Sequence, residues 1–402
     1  MNNNKQLAIC IVTPAMPPII GGAETFAEVL VLSLVRKKQK IFLVTAKSPR
    51  LEVIQSIEEL GGKIFALGET FEAVDGYVAW EWAAFSRSKT IHNILCNYQI
   101  DIVHALSHDC IVSARIALED EKFKKDIPLV ITTSEMSTED TEFGKARSKF
   151  IYNLKIDGLL QLSKYYMNLA LSYDCKSKVK AIAAAVDIEL FKSGNKIRGR
   201  KFIDIDENSF LITCPSRFSK RKGQIELLQA LNQMPFEIKK TIICLLAGDI
   251  NSASKKYQHE IIELSKKIDV RCLILSIPRT KMPDIYAASD LVVIPSSKEG
   301  LGFAAIESMA AGCPVLLSKV SGFDEIPDGE NQVMYFDLSN SNDLKYKIEE
   351  LIINCDLRDK LIKNGRKSVL KRFSFENFAS ITINLYRNLL DFTHNSDNIQ
   401  LR

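Results

Sequence analysis

The chain has 402 residues, more than one hydrophobic core usually organises, so two domains of roughly 200 residues each are expected. Hydrophobic residues at 46% and charged residues at 25% exclude a disordered or fibrous protein. A formal charge of +4 is too small at this length to support nucleic-acid binding by charge alone, although a local basic face toward anionic lipid or phosphate stays open.

The opening Met1 to Gln6 leads into a short apolar run, Leu7–Val12, broken at Pro14. That run is too short for a signal peptide or a membrane span, so any membrane contact is expected at the surface. Short β-branched runs bounded by turn residues then recur, with amphipathic stretches between them, which is the pattern of βαβ units and parallel sheets. The first series is Leu7–Thr13, Lys40–Thr45, Lys63–Leu67, Ile102–Ala105, Leu129–Thr133, Gly158–Leu162 and Val179–Ala183, enough for one doubly wound sheet. A polar, strongly basic stretch follows at Lys192–Lys201. The pattern restarts after it at Phe210–Cys214, Thr241–Ala247, Val270–Leu275, Leu291–Pro295, Val315–Leu317 and Gln332–Phe336.

The expected fold class is therefore α/β, with two Rossmann-like doubly wound domains, 1–189 and 190–372, facing a cleft where ligands meet the strand carboxyl ends. Residues 373–390 read as an amphipathic helix that packs back on the first domain, and 391–402 as an unordered tail. The nine cysteines, Cys10, Cys96, Cys110, Cys175, Cys214, Cys244, Cys272, Cys313 and Cys355, contain no CxxC pair and lie mostly in apolar runs. They read as reduced, buried thiols of a cytoplasmic protein, without a disulfide framework or zinc site. No repeat of 20–50 residues is visible.

Three segments carry chemistry. The first, Pro17-Pro18-Ile19-Ile20-Gly21-Gly22-Ala23-Glu24, lies between the first strand and a helix with Phe26, Leu30 and Leu34 on one face. Paired glycines before a helix let backbone N–H groups approach a phosphate, though a plain strand-to-helix turn needs them as well. The second, Ser216-Arg217-Phe218-Ser219-Lys220-Arg221-Lys222-Gly223, follows the first strand of the second series. Its cations repel one another unless an anion lies between them; the Arg217 fork and the compact Lys222 charge suit a diphosphate, and a solvated basic loop is the alternative. The third runs from Ile294 to Val315 as a buried strand, a glycine loop and a helix starting near Phe303. Amides at Gly302 and Phe303 would face an anion there, and Glu299 and Glu307 could both accept hydrogen bonds from sugar hydroxyls.

Glu299 and Glu307 form a Glu-x7-Glu pattern around Gly300-Leu301-Gly302-Phe303, and the chain resembles glycosyltransferase family 4, the retaining group 1 enzymes of GT-B fold. The turn at Gly22, the Ser216–Gly223 segment, Ala288-Ser289-Asp290 and Ser321-Gly322-Phe323-Asp324-Glu325-Ile326 match in order. The resemblance implies Gly22 in a phosphate-facing turn, Arg217 and Lys222 on the donor diphosphate, and Glu299 on the donor sugar hydroxyls. It also implies donor contacts at Gly300, Leu301, Gly302 and Phe303, Glu307 on the ribose, and the nucleobase near Ile277 in Ser276-Ile277-Pro278. No cofactor and no metal are implied, because Arg and Lys take the role that a cation plays elsewhere. The nucleotide sugar is a substrate, a UDP-sugar first and a GDP-sugar next.

The sequence departs from the family at three places. Ser134, followed by Glu135, stands where a histidine is common; Leu106 stands where a second histidine often follows His104; Ala183-Ala184-Ala185 replaces Pro-Asn-Gly. His104, Ser134 and Glu135 are the acceptor-side candidates, His104 being equally readable as a packed strand residue. Phe71–Phe85, with Tyr77, Trp80 and Trp82, and Lys145–Lys155, with Arg147, Lys149, Phe150 and Tyr152, suit either a peripheral contact with the inner face of a membrane or ordinary solvated helix faces. Asp204-Ile205-Asp206 imitates a metal-binding pair but lies in a polar connection, out of structural context. The expected function is retaining transfer of a sugar to a glycan or lipid-linked acceptor in surface polysaccharide or glycoconjugate synthesis. The alternative is a catalytically silent GT-B protein that binds nucleotide or a partner subunit. A nucleotide-sugar epimerase lacks distinct acid and base carboxylates, and a nicotinamide dehydrogenase lacks its GxGxxG.

Overall fold

A computed structural model describes residues 5–17, 22–68, 77–120, 122–123, 127–133, 141–340 and 342–399, with backbone alone for 77–83 and 393–399. The chain divides into two compact units: Met1–Ala185 with Phe375–Arg402, and Val186–Ser374.

In the first unit the strands are β1 (Ala8–Val12), β2 (Lys40–Thr45), β3 (Lys63–Ala66), β4 (Ile102–Leu106), β5 (Leu129–Thr132), β6 (Gly158–Gln161) and β7 (Val179–Ile182). They lie in the order β3-β2-β1-β4-β5-β6-β7, every neighbouring pair parallel, so the chain reverses direction across the sheet between β1 and β4. Ile9, Cys10, Ile11 and Val12 are all fully buried, as a central strand covered on both faces requires. The helix Gly22–Arg36 buries Phe26, Leu30 and Leu34, and Phe26 meets Phe378 of the terminal helix Phe375–Ile399 edge to face, with ring centroids 5.8 Å apart. The terminal helix also lies along β6 and β7. It runs to Ile399, and Asp391 to Ile399 contains no Gly or Pro to stop it.

The second unit holds β8 (Phe210–Pro215), β9 (Ile242–Ala247), β10 (Arg271–Leu275), β11 (Leu291–Ile294), β12 (Val315–Ser318) and β13 (Met334–Phe336), in the order β10-β9-β8-β11-β12-β13, all parallel. Alternate residues feed two cores. Ile212, Cys214, Cys244 and Leu246 face one layer, while Leu211, Ile243 and Leu245 face the other with Ile277 and Ile285. The sheet order reverses between β8 and β11, which places their carboxyl-terminal loops side by side.

The basic stretch at 192–201 is part of this unit. The helix Lys196–Phe202 packs on the helix Met282–Ala288 so closely that a Cβ on Gly199 would stand 2.1 Å from the Asp284 carbonyl oxygen. Three of its four cations pair with acids about ninety residues ahead: Arg198 with Asp284 at 2.7 Å, Arg200 with Asp290 at 2.6 Å and Lys196 with Asp290 at 3.2 Å. All nine cysteines are free thiols, most of them buried, whereas Cys96 and Cys355 are exposed. Among the described residues no helix is long and apolar enough to cross a membrane.

Candidate functional site

The site is built where β8 and β11 end. After β8 the chain passes Ser216 to Ser219, makes a short 3-10 turn at Lys220–Lys222, and enters the helix Gln224–Asn232 through Gly223 in the left-handed region, φ 70°. After β11 it passes Pro295 to Leu301 and enters the helix Phe303–Ala311 through Gly302, φ 86°. A side chain on Gly223 would bring its Cβ 2.0 Å from the Pro295 carbonyl oxygen, so only glycine lets the two loops touch. The amide of Ser297 donates to the Arg221 carbonyl at 2.8 Å, and the Arg221 guanidinium donates to the Lys298 carbonyl at 3.0 Å. Buried Gln224 donates to Ser216 Oγ at 2.8 Å and to the Arg217 carbonyl at 2.9 Å, and accepts from the Tyr257 hydroxyl at 2.9 Å.

This frame fixes the charges. Arg217 is exposed, with no side-chain partner among the described residues. Lys222 Nζ donates to Glu299 Oε1, and both side chains are largely buried. Gly322, φ 97°, presses against the Glu299 carbonyl, and Phe323 against Gly302, where a Cβ would lie 2.3 Å from a ring carbon. The helix Phe303–Ala311 has no side-chain cap and no acid in its first turn, so its leading N–H groups are open to an anion. Leu301 is buried, and Gly302 leads directly into the helix.

Glu307, 5% exposed, stands one turn into that helix. Its Oε1 accepts from Arg279 Nη2 at 3.0 Å and its Oε2 from the Tyr286 hydroxyl at 3.2 Å. Arg279 and Tyr286 were not singled out from sequence, because their partner lies 28 and 21 residues ahead and no local pattern signals it. The Ile277 side chain points into the core beside Ile285, while Ser276 and Pro278 on either side of it are exposed at the end of β10.

The remaining candidates lie in the first unit. Gly22 is the exposed first residue of its helix, and Pro18 to Gly21 fall outside the described residues. Ser134 and Glu135 also lie outside them, as do the side chains of Tyr77, Trp80 and Trp82. His104 lies in the core as a packed strand residue: it is fully buried, its Nδ1 shares a hydrogen bond with the Tyr386 hydroxyl at 2.6 Å and its Nε2 with Thr132 Oγ1 at 2.9 Å. Burial lowers its imidazole to about 3, which leaves it neutral and without a face for an acceptor. Asp206 accepts from the Asn208 and Ser209 amides and from Ser209 Oγ, tying its own turn.

Residues 195–368 match the family described as glycosyl transferases, group 1. The match covers nearly the whole of the second unit, Val186–Ser374. Two relatives illustrate the match. The uncharacterized glycosyltransferase MJ1607 of Methanocaldococcus jannaschii is 25% identical over 48% of this chain and 48% of its own. The lipopolysaccharide 1,2-N-acetylglucosaminetransferase of Salmonella typhimurium is 28% identical over 49% of this chain and 55% of its own. The match thus spans about half the length of these curated relatives. Among solved structures, a glycosyltransferase from Rickettsia africae gives a TM-score of 0.74 at 19% identity, covering 96% of this chain and 99% of that one. HepE of Anabaena, solved with UDP and glucose, gives 0.72 at 18%, covering 95% and 100%. The fold is GT-B. The β8 and β11 loops described above lie inside the matched group 1 glycosyl transferase segment.

Proposed function

We propose that the chain is a retaining, family 4 glycosyltransferase that moves a sugar from a nucleoside diphosphate sugar to a glycan or lipid-linked acceptor, in surface polysaccharide or glycoconjugate synthesis. The observation that carries this reading is the meeting of exposed Arg217, the Lys222–Glu299 pair and the uncapped helix start at Gly302 where β8 and β11 end. A diphosphate entering there draws Lys222 from Glu299 onto its oxygens, and Arg217 grips it through its planar fork. Glu299, released from Lys222, accepts hydrogen bonds from the donor sugar, while Glu307 takes the ribose. The two cations stabilise the charge that builds on the leaving diphosphate, so transfer proceeds without a metal. Retention follows from a front-face route, which asks for that stabilised leaving group and an aligned acceptor hydroxyl.

A UDP-sugar is the first choice of donor and a GDP-sugar the second. The Anabaena neighbours solved with UDP and with UDP-glucose support the order, and the Salmonella relative's name supports a surface-glycan acceptor. The first unit handles the acceptor in this reading. Exposed Phe143, Phe150 and Lys149 on the helix Glu142–Tyr152 support a peripheral contact with the inner face of a membrane.

Thermal shift with UDP, GDP, ADP and their sugar conjugates, without added metal, tests the donor site. At a hundredfold excess over Kd a bound nucleotide adds about 2.7 kcal/mol to the stability of the folded state. Arg217→Ala or Glu307→Ala should remove the shift. If no nucleotide shifts the folded wild type at millimolar concentration, the silent, partner-binding reading replaces this one.

A further inference from the structure

Glu307 is buried, and its carboxylate is held from two sides by donors on separate segments. Arg279 lies in the turn Arg279–Lys281 just after β10, and Tyr286, 2% exposed, stands on the helix Met282–Ala288. Each binds a different oxygen, which fixes the carboxylate plane as one donor alone does not. Arg279 is itself seated, its guanidinium carbon 5.7 Å from the centroid of the Phe191 ring, whose side chain is fully buried. The guanidinium also balances a negative charge on a side chain that is 6% exposed.

An ionised carboxylate offers roughly four lone-pair sites, and Arg279 and Tyr286 occupy one on each oxygen. That leaves about one site on each oxygen, a count that matches the two hydroxyls of a vicinal diol. We infer that Arg279 is the positioning residue that turns Glu307 into a diol reader, so that this site selects ribonucleotides over 2′-deoxyribonucleotides. This inference rests on the nucleotide-binding reading above. Arg279 acts through Glu307: without it the carboxylate swings about its remaining tie to Tyr286 and no longer presents both oxygens to the diol.

The test is isothermal titration of the full chain with UDP and with 2′-deoxy-UDP. A hydrogen bond to a charged group predicts that wild type prefers UDP by about tenfold or more. Arg279→Met should bring the two ligands to within about threefold of each other, chiefly by weakening UDP, while Arg279→Lys restores part of the preference. Melting temperatures of the unliganded variants guard against a folding defect, and the ratio of the two affinities is a readout that simple destabilisation does not move. If Arg279→Met weakens both ligands equally and leaves the ratio unchanged, Arg279 is a general electrostatic contact and the inference is overturned. A wild type that binds UDP and 2′-deoxy-UDP alike also overturns it while leaving the donor site standing. A wild type that binds neither, nor GDP nor ADP, takes down the nucleotide reading and this inference together.

Discussion

At the scale of single residues, His104 shows how a side chain with chemical promise becomes a core residue. Its ring nitrogens are occupied by Thr132, one strand away, and by Tyr386, 282 residues on. The second partner was not legible, since no local pattern joins β4 to the terminal helix. The unfolded imidazole takes up a proton below about 6.5, while the folded one waits until about 3. Between those values the unfolded state binds more protons, so stability is lost as pH falls through this window. By pH 5 the loss from this one group is about 2 kcal/mol relative to neutral pH. Both tryptophans, Trp80 and Trp82, belong to the first unit, so urea unfolding followed by their fluorescence reads it selectively. His104→Asn should flatten the dependence between pH 7 and 5, and an unchanged slope would assign the acid sensitivity to other groups. Glu299 and Glu307, by contrast, were legible from their spacing and flanking glycines, whereas Arg279 and Tyr286 became visible only once the chain was folded around Glu307.

At the scale of elements, most strands were legible to within a residue or two. Lys40–Thr45 is read and found with the same limits, and Val315–Leu317 is one residue short of β12. Buried parallel strands are brief apolar runs with no competing pattern, so their ends show. The helix Lys196–Phe202 was not legible, because a run of cations resembles a solvated linker until Asp284 and Asp290 are brought beside it. Its seat depends on Gly199, where a Cβ would meet the Asp284 carbonyl oxygen at 2.1 Å and the Ala288 Cβ at 2.7 Å. A backbone oxygen cannot swing aside as a flexible side chain can, so Gly199→Ala should force the two helices apart and cost about 1–3 kcal/mol. Lys201→Ala, at an exposed position of the same helix, should stay within about 0.5 kcal/mol of wild type. Thermal melts followed by circular dichroism compare the two, and equal stabilities would show that the close approach is not maintained in solution.

At the scale of the whole molecule, the two units differ in how the chain builds them. The second is continuous, Val186–Ser374, with apolar layers on both faces of its own sheet, whereas the first is completed only by the terminal helix. Of the residues proposed for the donor, Arg217, Lys222, Ile277, Glu299, Gly300 to Phe303 and Glu307 all lie in the continuous unit, as does Arg279; Gly22 alone does not. A fragment of residues 186–374 should therefore fold by itself and bind the nucleotide that shifts the full chain to within about tenfold of its affinity, as titration calorimetry would measure. Ending the chain after Ser374 should do the reverse. It removes Tyr386 from His104, Phe378 from Phe26 and the helix from β6 and β7, uncovering apolar surface that the first unit cannot cover otherwise. That truncated chain should bind hydrophobic dyes and lose cooperative unfolding of the tryptophan-bearing unit while its nucleotide affinity survives. A fragment that folds cooperatively yet loses more than about a hundredfold in nucleotide affinity would show that the first unit contributes far more to the donor than the turn at Gly22.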